Sequence, residues 1–197
     1  MRKTILCCTA TLLLFNLSCD PQRDAPPQTL DLSCIQLFDD LGQGLGLHGG
    51  CTSSPDWGKI TLDASEQALL NFSDTISLAG TNATDITGVF AFPCPVKIEQ
   101  AFSVFSGGSV PGQSAKLKIA IVDESLHVVQ QLAILTQSGM GLQLYMDPTK
   151  YESGKYYRMY YRFSTSGSPS LYEGYGNFLV CKTYIDGVNA TIESDCL

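Results

Sequence analysis

Two histidines, His48 and His127, are the only imidazoles in this 197-residue chain. A histidine-based triad or metal cluster needs several groups converging on one point. His48 stands in a glycine-rich stretch, and His127 stands at a strand start, out of phase with Leu126 and Val128. Both read as surface or turn residues. The acids come as adjacent pairs, Asp39-Asp40 and Asp123-Glu124. A glycosidase needs two carboxyls facing each other across a cleft, usually from different elements, whereas neighbouring acids on a turn are solvated charges. Asp123-Glu124-Ser125 is most simply a hairpin turn between two strands. Asp186, Asn189, Glu193 and Asp195 offer oxygens near the C-terminus but lack the spacing of an EF-hand loop. No Gly-x-Ser-x-Gly elbow is present. The expectation is a chain with no catalytic residues, no metal and no cofactor.

The richest cluster lies in residues 155–163. If Tyr157, Met159, Tyr161 and Phe163 face the core of a strand, then Tyr156, Arg158, Tyr160 and Arg162 form an outward ladder. Tyr172 and Tyr175 on the next strand stand nearby. Exposed tyrosines beside arginines stack on sugar rings or anchor a protein partner. The competing expectation is cross-strand aromatic and cation–π packing that only stabilises the sheet. These six residues are the candidate ligand-binding set. The run Tyr151-Glu152-Ser153-Gly154-Lys155-Tyr156 resembles the tyrosine corner of immunoglobulin-like sandwiches, where a Tyr after a Gly turn bonds back to the backbone; the resemblance makes Tyr156 the corner residue.

Two other motifs carry less. Gly44-Leu45-Gly46-Leu47-His48-Gly49 has the spacing of a dinucleotide-binding fingerprint, but that motif works only before a helix whose amides cradle a pyrophosphate. Cys51-Thr52-Ser53-Ser54-Pro55 follows instead, so residues 42–50 read as a flexible loop. Asp74-Thr75-Ile76 resembles the short O-glycosylation sequon of Bacteroidota, and Asn71, Asn82 and Asn189 begin Asn-x-Ser/Thr triplets. Both are hints of surface exposure.

The elements that must position these residues read as strands. Lys116 to Val122 alternates with Leu117, Ile119 and Ile121 inward. Val96 to Phe105 puts Val96, Ile98, Phe102 and Val104 on one side. Further strands are expected at 58–62, 68–72, 75–78, 86–92, 126–135, 142–146, 156–163 and 171–185. No helical stripe is sustained. The fold class expected is all-β: an antiparallel β-sandwich of immunoglobulin-like or jelly-roll topology.

The N-terminus has the anatomy of an export signal: Arg2 and Lys3, a short apolar run from Ile5 to Phe15, then Asn16-Leu17-Ser18-Cys19. The run is too short to span a bilayer, which takes ~20 residues. Leu17-Ser18-Cys19 resembles the lipobox of bacterial lipoproteins, and the resemblance implies diacylation of Cys19. Two acyl chains suffice for stable anchoring. Residues 20–29, with Pro21, Pro26 and Pro27, read as a tether. The expected layout is a signal peptide at 1–18, a lipid-anchored tether at 19–33 and a sandwich domain at 34–197.

A net charge of −7 argues against nucleic-acid binding and against docking on anionic lipid by charge. Beyond Cys19, five cysteines remain after the signal: Cys34, Cys51, Cys94, Cys181 and Cys196. An oxidising compartment favours disulfides. The expected pairs are Cys34 with Cys51, and Cys181 with either Cys94 or Cys196. Together these readings describe a non-catalytic lipoprotein of the bacterial cell envelope, on the outer membrane or cell surface, or secreted if Cys19 is not acylated. It would bind or scaffold a glycan or a protein. The alternatives are a small extracytoplasmic glycan hydrolase and a structural surface subunit that assembles by strand exchange.

Overall fold

The alternating segments become strands of two facing sheets. The computed structural model describes residues 29–52, 57–182, 184–186, 192–194 and 196. Its elements are β1 (Ile35–Phe38), β2 (Gly44–His48), α1 (Ala64–Leu69), β3 (Gly88–Phe92), β4 (Val96–Lys97), β5 (Ala101–Gly107), β6 (Ser114–Val122), β7 (Val128–Gln137), β8 (Gly141–Tyr145), β9 (Lys155–Thr165), β10 (Ser168–Cys181), β11 (Tyr184–Asp186) and β12 (Ile192–Ser194). One sheet has the order β4-β10-β9-β6-β7 and the other β3-β5-β8, while β1-β2 and β11-β12 are separate hairpins. All pairs in the two main sheets are antiparallel except β4 with β10.

The connections decide between the two expected topologies. The links β5 to β6, β7 to β8 and β8 to β9 each pass from one sheet to the other, whereas β6-β7 and β9-β10 are hairpins within one sheet. Three strands facing four, with a short parallel strand beside the last, is the immunoglobulin-like arrangement. A corner contact agrees with it, but on a different tyrosine from the one expected. The Tyr157 hydroxyl accepts from the Glu152 amide at 2.9 Å. Tyr157 and Met159 point inward together, and Tyr156 lies on the opposite side of β9.

The layer between the sheets follows the period-two reading. Leu117, Ile119 and Ile121 on β6, and Tyr157, Met159, Tyr161 and Phe163 on β9, are buried against Val89, Ala91, Phe102, Val104 and Leu144. Phe102 and Phe178 rings meet across the layer at 4.8 Å. Side chains alternate strictly along a strand, so one inward residue sets the direction of all the others.

The outer side of the five-stranded sheet departs from expectation. Segment 57–82 crosses over it instead of adding strands, so no ladder forms at 58–62, 68–72 or 75–78. The middle of the crossing is α1. Asp63 accepts from the Glu66 amide at 2.9 Å, and the Glu66 carboxylate accepts from the Asp63 amide at 2.9 Å. This Asp-x-x-Glu box is a local helix-start signal, overlooked beside the apolar residues that follow it. Leu62 and Leu70 pack on Ala120, Val122 and Tyr160, with Leu30, Leu69, Leu126 and Tyr175 at the margin. The molecule thus has a second, smaller apolar layer.

Trp57 pins the crossing at the β10 edge. Its amide donates to the Tyr175 carbonyl at 2.8 Å, and the Ile60 amide donates to the Glu173 carbonyl at 2.9 Å. Its ring lies parallel to Tyr161, 6° apart at 6.4 Å, and beside Phe102. Gly176 makes the space, since a Cβ there would sit 2.2 Å from the indole. Trp57 takes φ of 64°, a left-handed conformation that costs a bulky residue of order 1 kcal/mol. Burial of the ring, only 5% exposed, offsets this.

The N-terminal boundary also moves. Leu32 is buried, the Leu30 amide donates to the Glu124 carbonyl, and the Asp31 carbonyl accepts from Arg158. Residues 30–33, expected in the tether, therefore belong to the packed domain; residues 1–28 lie outside the described residues. The expected loop at 42–50 is instead the turn and second strand of the β1-β2 hairpin. Disulfides join Cys34 to Cys51 and Cys181 to Cys196. Cys94 is buried and belongs to neither bridge. The two bridges indicate an oxidising, extracytoplasmic setting. Among the described residues no helix is long and apolar enough to cross a membrane.

Candidate functional site

The expected ladder is covered. Tyr156, Arg158, Tyr160 and Arg162 do share the outer side of β9, and Tyr175 stands opposite Tyr160. Tyr172 does not join them, because it pairs with Phe163 on the inner side and is buried there. Tyr160 is fully buried under α1, and its hydroxyl donates to Glu66 at 3.1 Å. Burial pushes its phenol up to about 12. Arg158 is 8% exposed, with its guanidinium 4.0 Å from the Tyr175 ring centroid. It donates to Asn177 Oδ1 at 2.8 Å and to the Asp31 carbonyl at 3.1 Å. Arg162 pairs with Glu173 at 2.9 Å and donates to Asn71 at 3.3 Å. The exposure expected of these residues is corrected by a physical cause: segments 30–34 and 57–82 lie over them and use up their polar groups.

One ion cluster fastens this cover. Asp74 Oδ1 lies 2.7 Å from Lys116 Nζ, and its Oδ2 lies 2.9 Å from Lys118 Nζ. Lys116, then Lys118, hold the Asp74 carboxyl far below the usual carboxylate range. The same lysines donate to the Ile76 and Phe72 carbonyls. Thr75, between these contacts, is exposed.

Tyr156 borders a cavity. The space, about 210 Å³ at one end of the sandwich, is also lined by Asp123, Glu124, Lys150, Glu152 and Lys155. Asp123 Oδ1 accepts from the Ser125 and His127 amides at 2.8 and 2.9 Å, and Oδ2 lies 3.3 Å from His127 Nδ1. The carboxylate is thereby committed to shaping the β6-β7 turn, as the sequence suggested. Among the described residues no group of three or more His, Cys, Asp or Glu side chains is arranged to hold a metal.

The outer side of the three-stranded sheet is the opposite case, because it stays uncovered in the described residues. Phe90 pairs with Phe105 across β3 and β5, and Phe92 stands two residues along. The three rings lie nearly parallel. Centroids are 5.8 Å apart for Phe90 and Phe105, 5.2 Å for Phe92 and Phe105, and 6.0 Å for Phe90 and Phe92, with interplanar angles of 15°, 6° and 16°. Phe90 is 39% exposed, and Leu41, Met140 and Tyr145 expose even more of their surface. Two glycines shape the patch: a Cβ at Gly42 would strike the Phe92 ring and one at Gly141 the Phe105 ring. Leu41 and Met140, beside those glycines in sequence, border it.

The register assigns the remaining outward positions to Gly88, Ala101, Ser103, Gly107, Gly141, Gln143 and Tyr145. No Asp, Glu, Lys, Arg or His stands among them, in a chain of net charge −7. Aromatic enrichment with charge depletion is the compositional mark of an interface centre. The expectation of a strand at 86–92 did not say that its outer side would be bare. The signal was present: Val89, Phe90, Ala91 and Phe92 are apolar at both parities, so this strand has two apolar sides and both need a neighbour.

No family model matches the chain, and no curated protein matches it. Among solved structures, a glycosyl hydrolase family 2 member from Bacteroides cellulosilyticus aligns at a TM-score of 0.37 and 16% identity, over 59% of this chain and 18% of that one. The chain therefore spans under a fifth of that protein's length.

Proposed function

We propose that this protein is a non-catalytic module of the bacterial cell envelope that holds a protein partner on the outer side of its three-stranded sheet. It is exported by its N-terminal signal and anchored through acylated Cys19. The observation that carries this reading is the exposed, charge-free stack of Phe90, Phe92 and Phe105. Parallel phenyl rings without a hydroxyl or amide of their own gain by shedding water against an apolar partner. A sugar presents hydroxyls on every side and needs matching donors and acceptors. Here only Ser103, Gln143 and Tyr145 supply them. A protein partner suits the patch better than a glycan.

A photo-crosslinking residue in place of Phe90, in cells making the full chain, should give a discrete protein adduct. The same residue in place of Thr75, on the far sheet, should give none. Glycan-array binding lost on Phe90→Ser, with no protein adduct at position 90, would replace the partner by a glycan. Turnover in a hydrolase screen that is lost on replacing Asp123, Glu124 or Glu152 would overturn the non-catalytic reading. The intact mass of the mature chain tests the anchor, since acylation at Cys19 adds a diacylglyceryl group that Cys19→Ser removes.

A further inference from the structure

The other uncovered part of the described molecule is the side where the two sheets end in β7 and β8. Here the sandwich stays open. Cavities of about 450 and 360 Å³ share Ile134 and Leu142 as lining, so they form one groove along the two edge strands. Leu132, Ile134 and Leu142 point inward from these edges yet remain only half-buried. Val128, Leu135 and Met140 along the same edge are among the most exposed large apolar residues.

Apart from a bulge at one end, over Val128–Gln130, β7 lacks the features that keep an edge strand solitary. It runs for ten residues, VVQQLAILTQ, with no charge, proline or glycine. Natural edges of this length usually carry a lysine, a proline or a distortion that blocks a new strand. We propose that a second copy of this chain adds its β7 antiparallel to this β7 across a two-fold axis, joining the two five-stranded sheets into one.

Charge points to a second copy rather than to another extended segment. In a two-fold pair each residue near the axis meets its own kind, so any charge there repels itself. β7 has none, although the chain as a whole is acidic. An axis at Ala133 sets Leu132 against Ile134 of the second copy and Gln131 against Leu135. Apolar residues then meet on the groove side and the two grooves join. The nearest charged residues on the outer side are Lys116 and Lys118 of β6, which share the Asp74 carboxylate and so leave one net positive charge. Across the axis, Lys118 and its copy would stand three strand spacings apart, about 14 Å. That exceeds the screening length of ~8 Å at physiological salt.

The test is sedimentation velocity of the mature full chain carrying Cys19→Ser, which keeps it out of micelles. A concentration-dependent monomer–dimer equilibrium is expected. Ala133→Glu puts two carboxylates at the axis, yet within each chain it faces Lys118 across β6, so folding is retained. It should weaken the dimer by about tenfold or more. Leu135→Glu faces Lys116 within its own chain and should do the same from an exposed position, with little change in melting temperature. Phe90→Ser, in the patch assigned to the partner, should leave the dimer intact. A chain that stays monomeric at every concentration overturns the proposal. So does a dimer that survives both β7 substitutions, or one that Phe90→Ser dissociates while they do not.

Discussion

Gly176→Ala adds one methyl and should unfasten the cover over the five-stranded sheet. A Cβ at this position would stand 2.2, 2.3 and 2.4 Å from Cδ2, Cε2 and Cε3 of Trp57. Ordinary carbon contacts begin near 3.5 Å, so the indole must retreat by about 1 Å or more. It has no free direction. Tyr161 lies parallel to it at 6.4 Å, Phe102 stands at 6.1 Å, and its own amide is tied to Tyr175. Nor can the backbone of β10 yield, because the facing β9 residue, Met159, is fully buried. The ring therefore leaves its seat. Loss of a buried Trp side chain costs about 3–5 kcal/mol, against about 1–3 kcal/mol for overpacking that a core absorbs; the walls around Trp57 favour the larger figure. In a Trp57→Ala chain those three ring contacts are gone. There Gly176→Ala should cost less than about 0.5 kcal/mol, or stabilise slightly, since alanine outperforms glycine in a strand. The coupling between the two sites is then about 3 kcal/mol. Urea unfolding of the four chains should be followed by far-ultraviolet circular dichroism, because Trp57 is the sole tryptophan and fluorescence is blind without it. Equal cost of Gly176→Ala in both backgrounds would refute the reasoning and move the clash elsewhere.

Two further predictions concern tyrosines. Tyr157→Phe removes the acceptor of the Glu152 amide and should lower stability by about 1 kcal/mol in urea unfolding, the net worth of one hydrogen bond, with the fold unchanged. Burial raises the Tyr160 phenol from its ordinary 10 to about 12. Above pH 10 the unfolded chain releases this proton and the folded chain keeps it, so stability is whole below pH 10 and falls as pH rises toward 12. Stability measured from pH 8 to 12 should show that decline, and Tyr160→Phe should make it shallower. A slope identical in the variant would mean that Tyr160 is not the group responsible.

The strand alternation was legible because it is local. Leu117-Lys118-Ile119 can bury one parity only if it is extended, and the same holds for Tyr157, Met159, Tyr161 and Phe163. The pairing of Cys34 with Cys51 was also within reach, while the choice of Cys196 over Cys94 for Cys181 needed the folded chain. Periodicity says which residues share a side of a strand; it does not say what lies over that side. Tyr160 and Arg158 alternate as outward residues should, yet Glu66 and Asp31, 94 and 127 residues earlier, come to rest on them. Phe90 and Phe92 fall on an expected strand, and the side they share is the one left bare among the described residues. The one local sign of the cover, the Asp63–Glu66 capping box, marks where a helix starts but not where it docks. Sequence alone thus determined the main strands of the two sheets and their inward residues, because each depends on neighbours along the chain. Only the tertiary structure decided which outer side was covered and which was left bare among the described residues, because that depends on contacts between residues far apart in sequence.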